Sequence, residues 1–459
     1  MIESCIDDVK ISQRNFSINM NNKILETSID IALEHANKLG ADQTEASCSN
    51  GNGFSVQAQN KSIETIEHYS SSAFNVTVYA NKSIGSATTN DLSHNALITT
   101  TEKAFSLANL TARDQFNGLA DAHLMAQKPM DLKLYHPWEL NVEQAQTMSL
   151  ECEQAALDTD SKVENTEGAN VATYENRTVY ANSHGFVGLT ESTGHTISCT
   201  AIAAENGSME MDYDYTTAMN AEDLLDHKEI GEKAGLKACA HLGARKIKTQ
   251  KAKVLFEPRQ AKSLIGHLIA AIGGTSQYRK ASFLLDTMGQ VICPDFINIT
   301  EEPHLESAFG SAYFDAEGVK TNPRVLVDKG MLTGYLLSSY SARRLNLITT
   351  GNAGGHHNLV VEPTVESGLE DIIKSMGTGL MVTSLIGHGV NIVNGDYSRG
   401  ATGFWVENGE IQYPVSEITI AGNLRDMLNN ILLVGKDLNS ESSIICGTIL
   451  LDDLMVAGY

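Results

Sequence analysis

PRQAKSLIGHLIAAIGG, residues 258–274, is the stretch on which the reading of the fold turns. Pro258 suits a first helical turn, where its missing N–H is not needed. Ala261, Leu264, Leu268 and Ala271 recur at helical spacing, and Ile265, Ile269 and Ile272 form a second apolar row. From Leu264 onward most of the circumference is apolar, so this helix is expected at the centre of its domain. His267 lies between the two rows. A lone histidine in a buried helix is more often a hydrogen-bonded core residue than a ligand. Helical zinc sites pair two histidines one turn apart with a glutamate after the first. None of the 14 histidines is followed by glutamate, so no such motif is present.

Around this helix the sequence is rich in Gly and short strand-like runs, which predicts a β-rich, mixed domain over 254–459. Just before it, residues 245–253 hold five basic side chains, and we read them as a solvated linker. Further back, Leu25, Ile29, Ala32, Ala36 and Leu39 mark one helix, with Gly40 as its C-terminal cap. Phe54, Val56 and Ala58 alternate before Asn60-Lys61, and Phe74, Val76 and Val78 alternate before Asn81-Lys82, as in antiparallel hairpins. Ser93 opens a second helix to about 108. Asn141 and Gln144 form a capping box for a third. Strands resume over 171–218, with turns at His184-Gly185 and Asn206-Gly207, and a fourth helix covers 225–242. The fold class is therefore α+β. It has an N-terminal region of antiparallel strands and helices over 1–244, divisible into units at about 25–110 and 125–244. The C-terminal domain is built around one central helix.

The chain has 459 residues, 42% hydrophobic and 19% charged, an ordinary globular composition. Its net charge is −23, which repels phosphate backbones and anionic lipid and argues against direct contact with nucleic acid. No run approaches a membrane span. The first 20 residues carry acidic and polar groups where a signal peptide needs a basic start and an apolar core. Seven scattered cysteines without Cys-x-x-Cys suit a reducing compartment. A cytoplasmic protein is expected.

Other clusters carry weaker chemistry. His356 and His357 are adjacent in a glycine-rich loop, where neighbouring side chains diverge. Gly377-Thr-Gly379 starts a dinucleotide fingerprint but lacks its third glycine. Asp396, Ser398 and Arg399 sit in Gly395–Gly400, either as a turn held by an Asp–Arg pair or as a peptide-binding element. Cys446 is either an inert buried thiol or a metal ligand.

LFEP (255–258), YRKASFL (278–284), FDAEGV (314–319), GYLLSSYSAR (334–343), TGNAGG (350–355), GDYSRG (395–400) and FWVENGEI (404–411) together resemble the PmbA (TldE) branch of the TldD/PmbA metalloprotease family. The likeness runs over nearly the whole chain from about Leu25. It implies a cytosolic heterodimer of a TldD-like and a PmbA-like chain that degrades or processes unfolded peptides in an enclosed chamber. In the TldD branch the central helix carries His-Glu-x-x-x-His, completed by a cysteine near the C-terminus. Here the first, second and sixth positions fall on Gly266, His267 and Ala271, and Cys446 takes the cysteine's place. This chain is therefore expected to bind no cofactor of its own, the zinc residing in the TldD-type partner. His267 is the candidate for any catalytic role and Cys446 for any metal contact. Asp396, Ser398, Arg399, His356 and His357 are the candidates for substrate contact. Isolated, the chain could form a homodimer. Two other readings compete: a free-standing hydrolase using His267, His356 or His388 with Asp396 or Cys446, and a regulatory protein-binding chain.

Overall fold

The computed structural model describes residues 22–459; the reading of residues 1–20 as lacking a signal peptide lies outside that range. Helix α1 spans 22–38 and buries Leu25, Ile29, Ala32 and Ala36. It stops at Gly40, whose φ of +87° suits a residue without Cβ. Strands β1 (Gln43–Gln59), β2 (Ser62–Ala80) and β3 (Ser83–Thr89) follow as hairpins. Asn60-Lys61 and Asn81-Lys82 turn them, all four with positive φ, the backbone that matches strand twist in a two-residue loop. Helix α2 (His94–Leu110) begins after Ser93, whose side chain makes no cap bond; Asp91 instead accepts the Ser93 N–H at 2.8 Å. Helix α3 (Val142–Asp158) carries the expected Asn141–Gln144 capping box. Strands β4 (Val163–Asn182), β5 (Val187–Glu205) and β6 (Ser208–Ala218) and helix α4 (His227–Ala240) complete this half.

All six strands join one antiparallel sheet in the order β3-β2-β1-β4-β5-β6. The helices cover one face. Its two core clusters include Cys48, Phe74 and Val179 under α1 and α2, and Val56, Val171 and Ile197 under α3 and α4. The alternate residues point the other way: Ser47, Ser49 and Ser55 on β1, Asn75 and Thr77 on β2, Asn176 and Thr178 on β4, Thr196 and Ser198 on β5. On β1, β4 and β5 that helix-free face is mostly hydroxyl and amide groups, while β6 adds exposed Met209, Met211 and Tyr213. Hydroxyls cross-link neighbouring strands in places, as by Thr77–Ser86 at 2.9 Å and Thr196–Thr217 at 3.1 Å.

The C-terminal half begins with β7 (Gln250–Phe256), α5 (Pro258–Ile272) and α6 (Gly274–Tyr278). Then come β8 (Ile299–Glu301), β9 (Arg324–Asp328), β10 (Met331–Leu332), α7 (Ser339–Leu345), β11 (Leu359–Val361) and α8 (Leu369–Met376). Strands β12 (Gly379–Ile386), β13 (Asp396–Glu407) and β14 (Glu410–Asn423) precede α9 (Leu424–Asn429). Strands β15 (Ile431–Val434), β16 (Ile444–Ile445) and β17 (Ile449–Ala457) end the chain. One sheet runs β14-β13-β12-β7-β17-β15, and β14 also pairs with β17, so five strands close a ring. The pairing is mixed, with β7 and β12 parallel. A second sheet runs β10-β9-β8-β11-β16.

Helix α5 packs on β7, β12 and β16. It buries one stripe, Ala261, Leu264, Ile265, Leu268, Ala271 and Ile272, while Lys262, Ser263, Gly266, His267 and Ile269 are half-buried and Ala270 is exposed. The supposed linker 245–253 is strand from Gln250, and four of its five basic groups are engaged: Arg245 stacks on Tyr413 at 3.5 Å, Lys246 and Lys251 pair with Glu417 and Asp453 at 2.7 and 2.6 Å, and Lys253 donates to the Met376 carbonyl at 3.2 Å. Strand sequence with an edge of paired lysines reads like a charged linker when only composition is seen.

Two arginines clamp the halves together. Arg259, in the first turn of α5, meets Asp214 and Glu441, donates to the Tyr215 carbonyl at 2.7 Å and lies 4.0 Å over the Tyr215 ring. Arg343 donates to the carbonyls of Phe116, Gly118 and Leu119. The irregular segment between α2 and α3 is thereby strapped across the C-terminal half, where Met125 bridges Val319.

Candidate functional site

His267 projects from α5 towards β13, where its ring stands edge-on to Tyr397 with centroids 5.9 Å apart. Its Nε2 is buried and has no hydrogen-bond partner among the described residues. Burial, reinforced by the Arg399 charge, depresses the imidazole pKa, so the ring is neutral at pH 7. Tyr397 is itself buried, and burial pushes its phenol up to about 12 despite Arg399. The sequence candidates His267 and Arg399 thus meet around Tyr397, a residue that sequence reasoning passed over inside the quoted GDYSRG run.

The expected Asp396–Arg399 turn pair does not form. Both residues lie in β13, and residues three apart in a strand face opposite ways. Arg399 instead donates to the carbonyls of Gly387 and Leu385 at 3.1 and 3.2 Å, tying the β12–β13 connection. Asp396 is exposed and accepts from the Asn394 amide at 2.6 Å; Ser398 shares its exposed face. His388 is exposed in the same connection.

His356 and His357 diverge as adjacent side chains should. Nε2 of His356 is 3.0 Å from the Ser443 hydroxyl, and burial lowers its pKa. Nε2 of His357 is 2.9 Å from the Gly351 carbonyl, while its N–H donates to the buried Glu301. Both are fastened within the core wall rather than presented to a ligand. Cys446 is buried, its Sγ 3.3 Å from the Gly447 carbonyl. Burial, with Asp437 adding to it, pushes this thiol far above its ordinary range, so it is held protonated.

The zinc that the resemblance implies for the family's catalytic branch does not fit these residues. Position 267 supplies one imidazole, 266 and 271 supply no donor, no glutamate stands beside the histidine, and the thiol is protonated. Among the described residues no group of three or more His, Cys, Asp or Glu is arranged to hold a metal ion.

The structure shows two carboxyls that the sequence did not advertise. Glu257 precedes α5 and lines a cavity of about 360 Å³ between the two halves, beside Lys237, Arg259, His241 and Phe404. Burial pushes it up to about 7, against the pull of Lys237 and Arg259. Asp315, from FDAEGV, is raised to about 7 by burial, although it accepts from the N–H groups of Ala353, Glu317 and Val319. The only available signal was a carboxylate beside an apolar run, as in Leu255-Phe256-Glu257.

Comparison with known proteins agrees along the chain. Residues 44–108, 135–242 and 249–458 match the models for PmbA/TldA metallopeptidase domain 1, central domain and C-terminal domain. The chain is 45% identical to a Metalloprotease PmbA from Escherichia coli O157:H7, over 95% of this chain and 96% of that one. It is 43% identical to a Metalloprotease PmbA homolog from Haemophilus influenzae, over 95% and 96%. A crystal structure from Bacteroides thetaiotaomicron, for which modulation of DNA gyrase has been proposed, superposes with a TM-score of 0.89 at 28% identity, covering 95% of this chain and 99% of that one. TldE from Thermococcus kodakarensis shares the fold, with a TM-score of 0.78 at 20% identity over 93% and 99% of the two chains. With matches to all three domain models and such identity over almost its full length, this chain belongs to the PmbA/TldD metallopeptidase family.

Proposed function

We propose that this chain is the TldE-type, non-zinc-binding subunit of a two-chain cytoplasmic metalloprotease, and that it walls and positions peptide while a TldD-like partner supplies the metal and its base. The observation that carries this reading is α5. The helix keeps its buried stripe but offers one neutral, unpartnered imidazole where three ligands and a carboxylate are needed. A hydrolase working alone through His267 lacks an acidic partner to orient the ring.

Two further features support it. The helix-free face of the six-stranded sheet offers hydroxyls and amides that hydrogen-bond an extended backbone without a preference for side chains, which suits unfolded peptides of varied sequence. The exposed pair Asp396 and Ser398 lies on β13 next to the connection that Arg399 secures. For location, the six cysteines among the described residues are all free, as a reducing compartment favours.

The test is purification with and without a TldD-type chain. The complex is expected to hold zinc and cleave casein-derived peptides, and this chain alone to hold less than about half an equivalent of zinc and to cleave nothing. Stoichiometric zinc with peptidase activity in the isolated chain overturns the assignment.

A further inference from the structure

A cleft of about 700 Å³ lies where the strap 123–130 crosses the C-terminal half, and none of the site candidates discussed above lines it. Its walls are fixed by backbone: Lys320 N–H donates to the Leu124 carbonyl at 2.9 Å, and Ala126 N–H to the Gly318 carbonyl at 3.0 Å. The floor is apolar, with Met125 and Val319 buried and Leu124 and Tyr313 beside them.

The charge of the lining is the unexpected feature. In a chain with 56 acidic and 33 Lys or Arg residues, the cleft has Lys128, Lys320, Arg324, His123 and His304 and no Asp or Glu. Arg324 is already committed, pairing with the buried Glu301 at 2.8 Å. Lys128 and Lys320 are different: both are exposed, and neither ammonium has a hydrogen-bond or ion-pair partner among the described residues. His304 stands close enough to Lys320 to feel its charge; burial first, then His357 and Lys320, lower its pKa, against a smaller pull from the nearby Glu302. Its Nε2 lies 3.0 Å from the Thr321 hydroxyl.

Two unpaired ammonium groups above an apolar floor, in an otherwise anionic molecule, form a site complementary to a carboxylate attached to an apolar group. We propose that this cleft binds the C-terminal end of an extended peptide, its carboxylate at Lys320 and Lys128 and its last side chain on Met125, Val319 and Tyr313. The proposal deepens the peptide reading above and rests on it. The volume accommodates two or three residues of a peptide but not a folded partner. Anchoring a free end would align substrate or retain product.

Because it concerns binding to this chain alone, its test needs no partner, zinc or turnover. The probe is an N-terminally fluorescein-labelled Gly-Ser-Ala-Leu peptide with a free carboxylate, compared by anisotropy with its carboxamide. The acid should bind at least roughly tenfold more tightly, with the gap narrowing as salt is raised. Lys320→Ala should remove most of that gap. Lys38→Ala, at an exposed lysine elsewhere, should leave it intact and so control for net charge. Lys320 is exposed, so its replacement leaves the fold standing, and circular dichroism checks this. Equal binding of acid and amide overturns the proposal. So does a gap that survives Lys320→Ala together with Lys128→Ala. Inorganic phosphate competing as well as the acid peptide would assign the cleft to free anions, and an amidated peptide ending in glutamate binding equally well would assign it to side-chain carboxylates; either result sinks the terminal assignment. Failure of peptidase activity in the complex, with the acid–amide gap intact, would count against the subunit reading and leave the cleft standing.

Discussion

Replacing Arg259 by methionine should loosen the junction between the halves more than any other single change. The guanidinium faces Asp214, whose side chain is only 5% exposed, and Glu441 at 16%. Removing it leaves two mostly buried carboxylates short of a cation. Breaking a buried pair from one side typically costs about 3–5 kcal/mol. Lys237, 3.4 Å from Asp214, partly compensates, so we expect the low end, about 3 kcal/mol. For a domain of this size that is about 6–12 °C in Tm. Burial pushes the Asp214 carboxyl up, but Lys237 and Arg259 outweigh burial and hold it below its ordinary value. A depressed carboxylate contributes stability that is present above the unfolded pKa of about 4 and is lost as pH falls through the lower folded value. The difference between wild type and Arg259→Met should therefore be full at pH 7 and shrink below about pH 4. Scanning calorimetry reads both quantities. Arg259→Lys should recover only part of the loss, since it keeps charge but not the fork or the stacking on Tyr215. A Tm within 2 °C of wild type at pH 7 (roughly the shift of a half-kcal/mol surface change), or strict additivity of Arg259→Met with Asp214→Asn, would refute the clamp.

His267→Ala, assayed in a zinc-loaded complex with a TldD-type chain, should leave kcat within about twofold, because no described group orients the ring and the proposed reading places the metal and its base in the partner; loss of turnover would make this chain catalytic. Gly266→Ala should raise stability by about 0.5–1 kcal/mol in urea melts, since a Cβ there meets nothing within 4 Å and helix interiors disfavour Gly. Leu268→Asp should leave the C-terminal half unfolded, as the side chain is 3% exposed within the main core; a soluble variant of normal Tm would refute the core assignment. Glu257 has a folded pKa raised by burial from 4.5 to about 7, so wild-type stability should fall as pH rises between those values. Glu257→Gln should remove that fall and gain about 3 kcal/mol at pH 8 relative to pH 4 in denaturant titrations.

What the sequence made legible was local. The turns at Asn60-Lys61 and Asn81-Lys82, the Asn141–Gln144 box and the stripe of α5 each rest on residues adjacent in sequence or one helical turn apart. The strands were recognised but read too short. Residues 43–53, QTEASCSNGNG, carry little alternation because one face of the sheet is hydroxyls and glycine, so β1 runs 17 residues where only its last third was apparent. The GDYSRG run was read as a turn, and its Asp–Arg pair failed on strand parity. Tyr397 escaped notice because a single aromatic in a polar run carries no period. The arginine clamps and the cationic cleft join residues up to 227 apart, and no spacing rule reaches that far.

The geometry of α5 explains how a helix can persist where the chemistry implied for it is missing. Its buried positions, Ala261, Leu264, Ile265, Leu268, Ala271 and Ile272, belong to the core and are held by packing, and Ala271, the sixth motif position, is among them. The positions that the likeness places at the first two motif residues, Gly266 and His267, are half-buried and outside that stripe. Selection on the core therefore does not constrain them, and side chains there can change without unfolding the domain. Gly266 is nonetheless a poor helix residue facing open space, which packing does not require. If the chain positions peptide as proposed, an unobstructed spot beside a neutral imidazole is where a substrate backbone or a partner's side chain can approach. Should Gly266→Ala raise stability as expected yet weaken peptide cleavage by the complex, that open space is used; should both stability and cleavage rise, the glycine is only a remnant. Either outcome separates what keeps α5 in the core from what its half-buried side does in the assembled enzyme.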